Sequence, residues 1–255
     1  MDFDVSIIMP VHNAKRFIDD TLKSLDRQTY QNYELIMIEN NSDDGSYEHI
    51  CEIAKNRKNT TVLRINETGA APARNAGINA AKGRFIAFMD ADDRWDNTKL
   101  ERQRNFMLEK DIAFSYGGYR LGDENCNPTG KDVEVPDVID YKHALRNTTI
   151  FTSTVMVDTT KIEKPNIVFP KIESEDTALW WNLLKLTNAY SFGGVYVTYR
   201  ISGKSLSSSK IKAVKRIWNL YRNNERFGVI KSSFLFVIWA INAVIRRSGS
   251  QRKAE

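Results

Sequence analysis

The sequence predicts an α/β fold: a mixed, mostly parallel sheet flanked by helices, continued by a helical, basic C-terminal tail. Three observations predict it. Short uncharged apolar runs alternate with amphipathic stretches of helical period through the first ninety residues. Turn- and cap-forming residues separate the runs. The unusual polar clusters, His12-Asn13, Glu39 to Asp44 and Asp90 to Asp93, follow directly on apolar runs, and ligands of parallel sheets bind outside the carboxyl ends of the strands.

The elements follow in order. Val5 to Pro10 reads as a buried parallel strand. Asn13 is placed to cap a helix whose apolar positions are Phe17, Ile18, Leu22 and Leu25. Tyr33 to Ile38 is a second strand, and the loop Glu39 to Gly45 leads into a helix ending near Lys55. Thr61 to Ile65 is a third strand. The next helix is built of small residues, with Pro72 near its start and Gly83 where a C-terminal glycine belongs. Phe85 to Met89 is a fourth strand, apolar until Asp90.

The second half is less regular. It predicts helices over Asn97 to Glu109 and Glu175 to Leu186. Strands are predicted at Ile112 to Tyr116, Thr154 to Val157 and Val195 to Arg200, with a loop from Asp123 to Pro136. No internal repeat or low-complexity stretch is present.

The 255 residues suffice for one sizeable domain plus a small appendage. The division expected is 1–209 for the domain and 210–255 for a basic amphipathic extension. From Arg200 onward there are 13 Lys/Arg against 2 Glu, a surplus of +11, so the preceding 199 residues carry +5 − 11 = −6. Two cysteines, Cys51 and Cys126, are too few for a disulfide framework and suit a reduced cytosolic protein. The acidic N-terminus shows no signal-peptide pattern.

The candidate chemistry centres on Asp90-Ala91-Asp92, two carboxylates at a strand end with Asp93 adjacent. Hard cations such as Mg²⁺ or Mn²⁺ bind carboxylates and bridge them to substrate phosphates. From spacing alone, a solvated acidic turn is an equal alternative.

Four segments occur in order: Val5-Ser-Ile-Ile-Met-Pro-Val-His-Asn13, Glu39-Asn-Asn-Ser-Asp-Asp-Gly-Ser46, Ala73-Arg-Asn-Ala-Gly77 and Phe88-Met-Asp-Ala-Asp-Asp93. Together they closely resemble the family 2 glycosyltransferases with a GT-A, Rossmann-like fold, of the bacterial O-antigen and capsular polysaccharide type. The match is strong over the first 110 residues and looser to about residue 210. The resemblance implies an inverting, metal-dependent hexosyltransferase with a UDP-sugar donor and Mn²⁺ or Mg²⁺ as cofactor. It places Pro10, Val11 and His12 against the nucleotide base, and Glu39 with Asn41 in the segment that grips uracil. The common Asp-Asp-Gly-Ser wording is replaced there by Glu-Asn-Asn-Ser. Arg74 faces the diphosphate, Asp90 and Ala91 lie at ribose and metal-bound water, and Asp92 ligates the metal.

Ser174-Glu-Asp-Thr-Ala-Leu-Trp-Trp181 resembles the family's segment for the base, which assigns Asp176 to deprotonate the acceptor hydroxyl; helix-start acids complementing the dipole are the alternative. Tyr199-Arg200 with Ser205-Leu-Ser207 resembles the segment that closes the site, with Arg200 either on the diphosphate or a surface arginine. The metal-binding histidine that several relatives carry after that arginine is replaced by Ile201-Ser-Gly203. Trp95, Trp180 and Trp181 are either sugar platforms or core.

In the tail, the apolar run Ser233 to Ile245 is too short to span a bilayer, which takes about 20 residues. With its flanking Lys/Arg it suits peripheral contact with the anionic cytoplasmic face of the inner membrane; packing on the core or in a homodimer is the alternative. No fold module for nucleic acid accompanies the basic residues. The expected activity is transfer of one hexose or N-acetylhexosamine to a polyprenyl-diphosphate-linked saccharide in surface polysaccharide assembly. A non-catalytic nucleotide-sugar-binding scaffold and a transferase for a soluble acceptor are the rivals.

Overall fold

Successive residues of a strand point to opposite faces of its sheet, and here the apolar strands divide accordingly between two cores. The computed structural model describes residues 3–147, 150–201 and 210–249, the last with side chains from 214 to 244. Ile8, Ile36, Ile38, Ile86 and Phe88 face one core, and Ile7, Met9, Leu35, Met37, Ala87 and Met89 face the other. The first is covered by α3 (Ala70–Ala80), α6 (Glu175–Leu184) and the C-terminal segment, the second by α1 (Lys15–Asp26) and α4 (Lys99–Glu109).

The strands are β1 (Val5–Val11), β2 (Tyr33–Asn40), β3 (Thr60–Ile65), β4 (Phe85–Phe88), β5 (Arg94–Trp95), β6 (Phe114–Gly122), β7 (Pro128–Val133), β8 (Val138–Ile139), β9 (Met156–Asp158) and β10 (Ala189–Arg200). They form one mixed sheet in the order β3-β2-β1-β4-β9-β6-β10-β5, with β7 beside β6 and β8 beside β10. The long ladders, β1 with β2 and β4, β2 with β3, and β6 with β10, are parallel; the short ones are antiparallel. Chain order reverses direction at β1, so the gap beyond β1 and β4 is the switch point where a ligand fits.

Several local expectations are corrected. Asn13 has a left-handed backbone (φ 49°) and does not cap α1. Its Oδ1 instead accepts the Asp43 N–H, while Asp44 and Ser46 accept the N–H groups of Lys15 and Ala14. The loop that opens α2 (Ser46–Lys55) therefore caps α1 in trans. Gly83 is not the C-terminal residue of α3, which closes at Ala81. It passes so near β1 that a Cβ would stand 2.7 Å from the Ser6 nitrogen. The predicted loop 123–136 holds β7, an exposed edge strand pairing only with β6. A short helix, α5 (Tyr141–Arg146), is capped by Asp140, whose Oδ1 accepts the His143 N–H at 2.6 Å. Trp95, Trp180 and Trp181 are all buried, so they are core and not sugar platforms.

The C-terminal segment runs through α7 (Lys210–Asn219), a π-helical turn at Leu220–Asn224 and α8 (Val229–Gly249). Ile217, Leu220, Tyr221, Leu235 and Trp239 join the first core. The opposite face of α8 is apolar and exposed at Ile230, Phe234, Val237, Ile241 and Val244, one residue every three or four positions. Among the described residues no helix is long and apolar enough to cross a membrane. Ser205-Leu-Ser207 lies outside the described residues.

Candidate active site

The carboxyl ends of β1 and β4 open into a cleft of about 670 Å³. Of the residues that the sequence predicts, Pro10, Val11, His12, Arg74, Asp90, Ala91, Asp92 and Arg200 line it. Glu39, Asn41 and Asp176 are not on its lining.

Arg74 sits on α3 because Gly77, one turn on, lets that helix lie flush on the sheet. A Cβ at Gly77 would stand 2.6 Å from Ile8 Cγ2 and 2.8 Å from Ile38 Cδ1. The buried guanidinium donates from Nη2 to Asp90 Oδ1 (2.8 Å) and from Nη1 to Glu175 Oε1 (3.0 Å). Its face lies 5.2 Å from the centre of the Phe169 ring. One cation thus joins the Asp90 loop to the start of α6. Burial pushes the Glu175 carboxyl above its usual range, with Arg74 pulling the other way.

The three aspartates have different surroundings. Asp93 is wholly buried, accepts from the Ser153 hydroxyl and from the Arg200 N–H (3.2 Å), and shapes the loop from behind. Burial, Asp92 and Asp90 push its carboxyl well above the usual range. Asp92 lines the cleft, and burial together with the Asp90 charge raises it to about 6. Neighbouring carboxylates that repel each other in a cleft are what a divalent cation relieves. Asp92 and Asp90 supply hard oxygens open to the cleft, so the donor set fits Mg²⁺ or Mn²⁺ with phosphate or water oxygens completing the shell. No group of three or more His, Cys, Asp or Glu that could hold a metal exists among the described residues.

Arg200 is buried, which corrects the surface-arginine reading. It donates from Nε to the Asp92 carbonyl, from Nη1 to the Glu124 carbonyl and from Nη2 to Asp20 Oδ2, each at 2.6 Å. It thereby clamps the Asp90–Asp92 loop to α1 and to the turn after β6. Arg94 also pairs with Asp20; bonds from Arg94 and Arg200 outweigh burial and hold that carboxyl below its usual range.

Glu39 is fully buried: Oε1 accepts the Ser42 N–H (2.6 Å) and Oε2 lies 3.0 Å from Arg64 Nε on the next strand. Asn41 adopts the left-handed backbone (φ 52°) in the place of the family's glycine, and its Nδ2 donates to the Asn66 carbonyl (3.2 Å). Its neighbour Asn40, missed from the sequence, lines the cleft instead. Asn40 Nδ2 donates to the Gly69 carbonyl, its own carbonyl accepts from His12 Nδ1 (2.6 Å), and its buried Oδ1 has no hydrogen-bond partner among the described residues. Tyr199, on the cleft wall, is backed by Phe151 with ring centres 5.0 Å apart. At the start of α6, Ser174 takes the left-handed backbone (φ 61°), a costly choice for serine, and turns the chain into Glu175-Asp176. Asp176 Oδ1 accepts the Thr177 N–H (2.6 Å).

A model of glycosyl transferase family 2 matches residues 6–162. TuaG of Bacillus subtilis (strain 168), whose name assigns it provisionally to teichuronic acid biosynthesis as a glycosyltransferase, is 38% identical over 95% of this chain and 97% of its own. The Escherichia coli UDP-Glc:α-D-GlcNAc-diphosphoundecaprenol β-1,3-glucosyltransferase WfgD is 40% identical over 86% of this chain and 85% of its own. Among solved structures, residues 1–349 of S. aureus TarS in complex with UDP-GlcNAc superpose with a TM-score of 0.68 at 18% identity. That likeness covers 93% of this chain and 72% of TarS 1–349, and shows a shared GT-A fold. The chain belongs to glycosyl transferase family 2.

Proposed function

We propose that the protein is an inverting, metal-dependent hexosyltransferase that moves one sugar from a UDP-sugar to a polyprenyl-diphosphate-linked saccharide in bacterial surface polysaccharide assembly. The observation that carries this reading is the convergence of Asp90, Asp92 and Arg74 on one cleft at the switch point, with Arg74 bonded onward to the Glu175-Asp176 helix start. The names of TuaG and WfgD support a glycan acceptor of this kind.

In this reading the nucleotide lies along Pro10, Val11 and His12. Asn40 Oδ1, buried and unpartnered, suits the N3–H of uracil; Glu39 and Asn41 hold the loop that presents it. Asp92, with Asp90, would hold Mn²⁺ or Mg²⁺, whose chemistry there is to neutralise charge on the departing diphosphate. Arg200 fixes the Asp92 backbone, and Tyr199 offers an aromatic face to a sugar. Asp176 takes the acceptor hydroxyl proton as the acceptor oxygen bonds the anomeric carbon and the bond to the diphosphate breaks. Attack opposite the leaving group turns an α-linked donor into a β-linked product. The exposed apolar face of α8 and the basic residues around it support a peripheral place on an anionic cytoplasmic leaflet.

The test is transfer from a panel of UDP-sugars to a synthetic GlcNAc-diphosphate-lipid with Mn²⁺, for wild type, Asp92→Ala and Asp176→Asn. We expect a fall of about 10³-fold or more in both variants; equal background rates in all three sink the reading.

A further inference from the structure

The C-terminal segment contributes to the cleft itself. Arg216, on α7, lies half-buried on the cleft lining together with Arg74, Arg200, Asp90 and Asp92. Its place is fixed by the packing of the residues that follow it. Ile217, Leu220 and Tyr221 are buried in the first core. The Tyr221 ring stacks on Trp181 with centres 5.5 Å and planes 12° apart, and its hydroxyl donates to the Leu145 carbonyl. Glu225, just beyond, accepts from the Tyr141 hydroxyl and from Lys185 Nζ (3.0 Å). Trp181 belongs to α6, whose first residues are Glu175 and Asp176. One anchor therefore sets both the candidate base and Arg216 relative to the cleft.

The charges around the cleft give that arginine a role. The Arg74 guanidinium spans Asp90 and Glu175, and the Arg200 guanidinium spans Asp20 and two carbonyls. Arg216 adds a third guanidinium to that lining. A diphosphate brings at least two negative charges to a wall that already carries Asp90 and Asp92. The planar fork of arginine matches phosphate oxygens two at a time.

We propose that Arg216 is a substrate-binding residue that grips a diphosphate in the cleft, that of the nucleotide donor or that of a diphosphate-linked acceptor. The inference rests on the nucleotide-sugar reading above and adds a residue beyond the segment that the family model matches.

The experiment uses the full chain as wild type, Arg216→Ala, Arg216→Gln, Arg216→Lys and the exposed neighbour Lys215→Ala. Calorimetric titration with UDP and MnCl₂ reads the donor side; the KM for GlcNAc-diphosphate-lipid reads the acceptor side; melting midpoints monitor folding. If Arg216 holds the donor, Arg216→Ala and Arg216→Gln weaken UDP binding about tenfold or more, Arg216→Lys recovers part of it, and Lys215→Ala matches wild type. If it holds the acceptor, UDP binding stays unchanged while acceptor KM rises by a similar factor and kcat holds. Wild-type values in both arms for all Arg216 variants overturn the inference and leave the nucleotide-sugar reading standing. A loss of binding that tracks a fall in melting midpoint makes Arg216 structural and overturns it as well. A wild-type chain that binds no UDP overturns the nucleotide-sugar reading, and this inference with it.

Discussion

Trp181 and Tyr221 lie nearly parallel, 5.5 Å between ring centres, and join the helix that begins with Glu175-Asp176 to the turn between α7 and α8. Tyr221 is wholly buried. Tyr221→Ala removes the stacked ring and leaves the Leu145 carbonyl without its donor, so it costs about 3–5 kcal/mol, the range for large aromatic truncations in a core. Urea unfolding should show this as a lowered midpoint at unchanged slope. A loss under about 1 kcal/mol would mean that the C-terminal segment is not part of the cooperative core.

Arg74→Met strands Asp90 and Glu175 without their shared partner. At pH 7 the expected loss is about 3 kcal/mol, as for breaking other buried ion pairs. Burial already raises the Glu175 carboxyl, against the pull of Arg74, so removing Arg74 raises it further in the folded state only. A raised folded-state carboxyl is penalised above that value and relieved below it. The deficit of the variant should therefore shrink as pH falls toward 4.5. Denaturation midpoints at pH 5 and pH 7.5 check the sign, and a deficit independent of pH refutes the account.

Lys99 is fully buried, its Nζ has no hydrogen-bond partner among the described residues and lies 3.6 Å from the centre of the Trp95 ring, and burial holds its amine well below the ordinary 10.5. Folding thus favours loss of a proton that the unfolded chain keeps at neutral pH. The cost is present below 10.5 and vanishes as pH rises to that value, where the unfolded lysine also loses its proton. Lys99→Met should therefore be the more stable protein at pH 7, by about 1 kcal/mol or more from removing an unpaired buried polar group. Thermal unfolding should show the advantage narrowing toward pH 10; a destabilised variant at pH 7 contradicts the prediction.

The exposed stripe of α8 gives a surface prediction. Phe234→Glu with Val237→Glu leaves the buried face, Leu235 and Trp239, in place. Flotation with vesicles rich in anionic phospholipid should retain wild type and lose most of the double variant, with the binding of wild type weakening at high salt. Wild type that stays with the soluble fraction, and sediments as a dimer that the variant breaks, assigns the stripe to a second copy of the chain.

β1, β2 and β4 were legible because each is a nearly continuous buried run that ends in a polar cluster, and β3 because Val62, Leu63 and Ile65 stand out although Thr61 and Arg64 are exposed. The Asp90–Asp92 loop, Arg74 and the first strand's Pro10-Val11-His12 were legible with them. β7 was not: Pro128–Val133 is exposed and polar, and only the edge of β6 makes it a strand. β10 begins six residues earlier than the apolar pattern shows, because the stretch through Gly193 and Gly194, both with left-handed backbones, breaks the alternation without ending the pairing. Glu39 and Asn40 could be told apart only by the parallel register of β2 and β3, which sets Glu39 beside Arg64. Arg200 was singled out in sequence by its Tyr199-Arg200 segment, but its clamping role was not legible, since its partners Asp20, Asp92 and Glu124 are far away along the chain.

The clamp made by Arg200 has a consequence for how the protein comes into being. Its bond to Asp20 closes a loop of 180 positions, and its bonds to the Asp92 and Glu124 carbonyls set the shape of the Asp90–Asp92 loop. All four motif segments leave the ribosome well before this residue does. A growing chain can pair its parallel strands early, yet its cleft stays unfinished until β10 inserts beside β6. Competence arrives late in synthesis, so a fragment cut between residues 162 and 200 should carry all four of the first motif segments and no formed site.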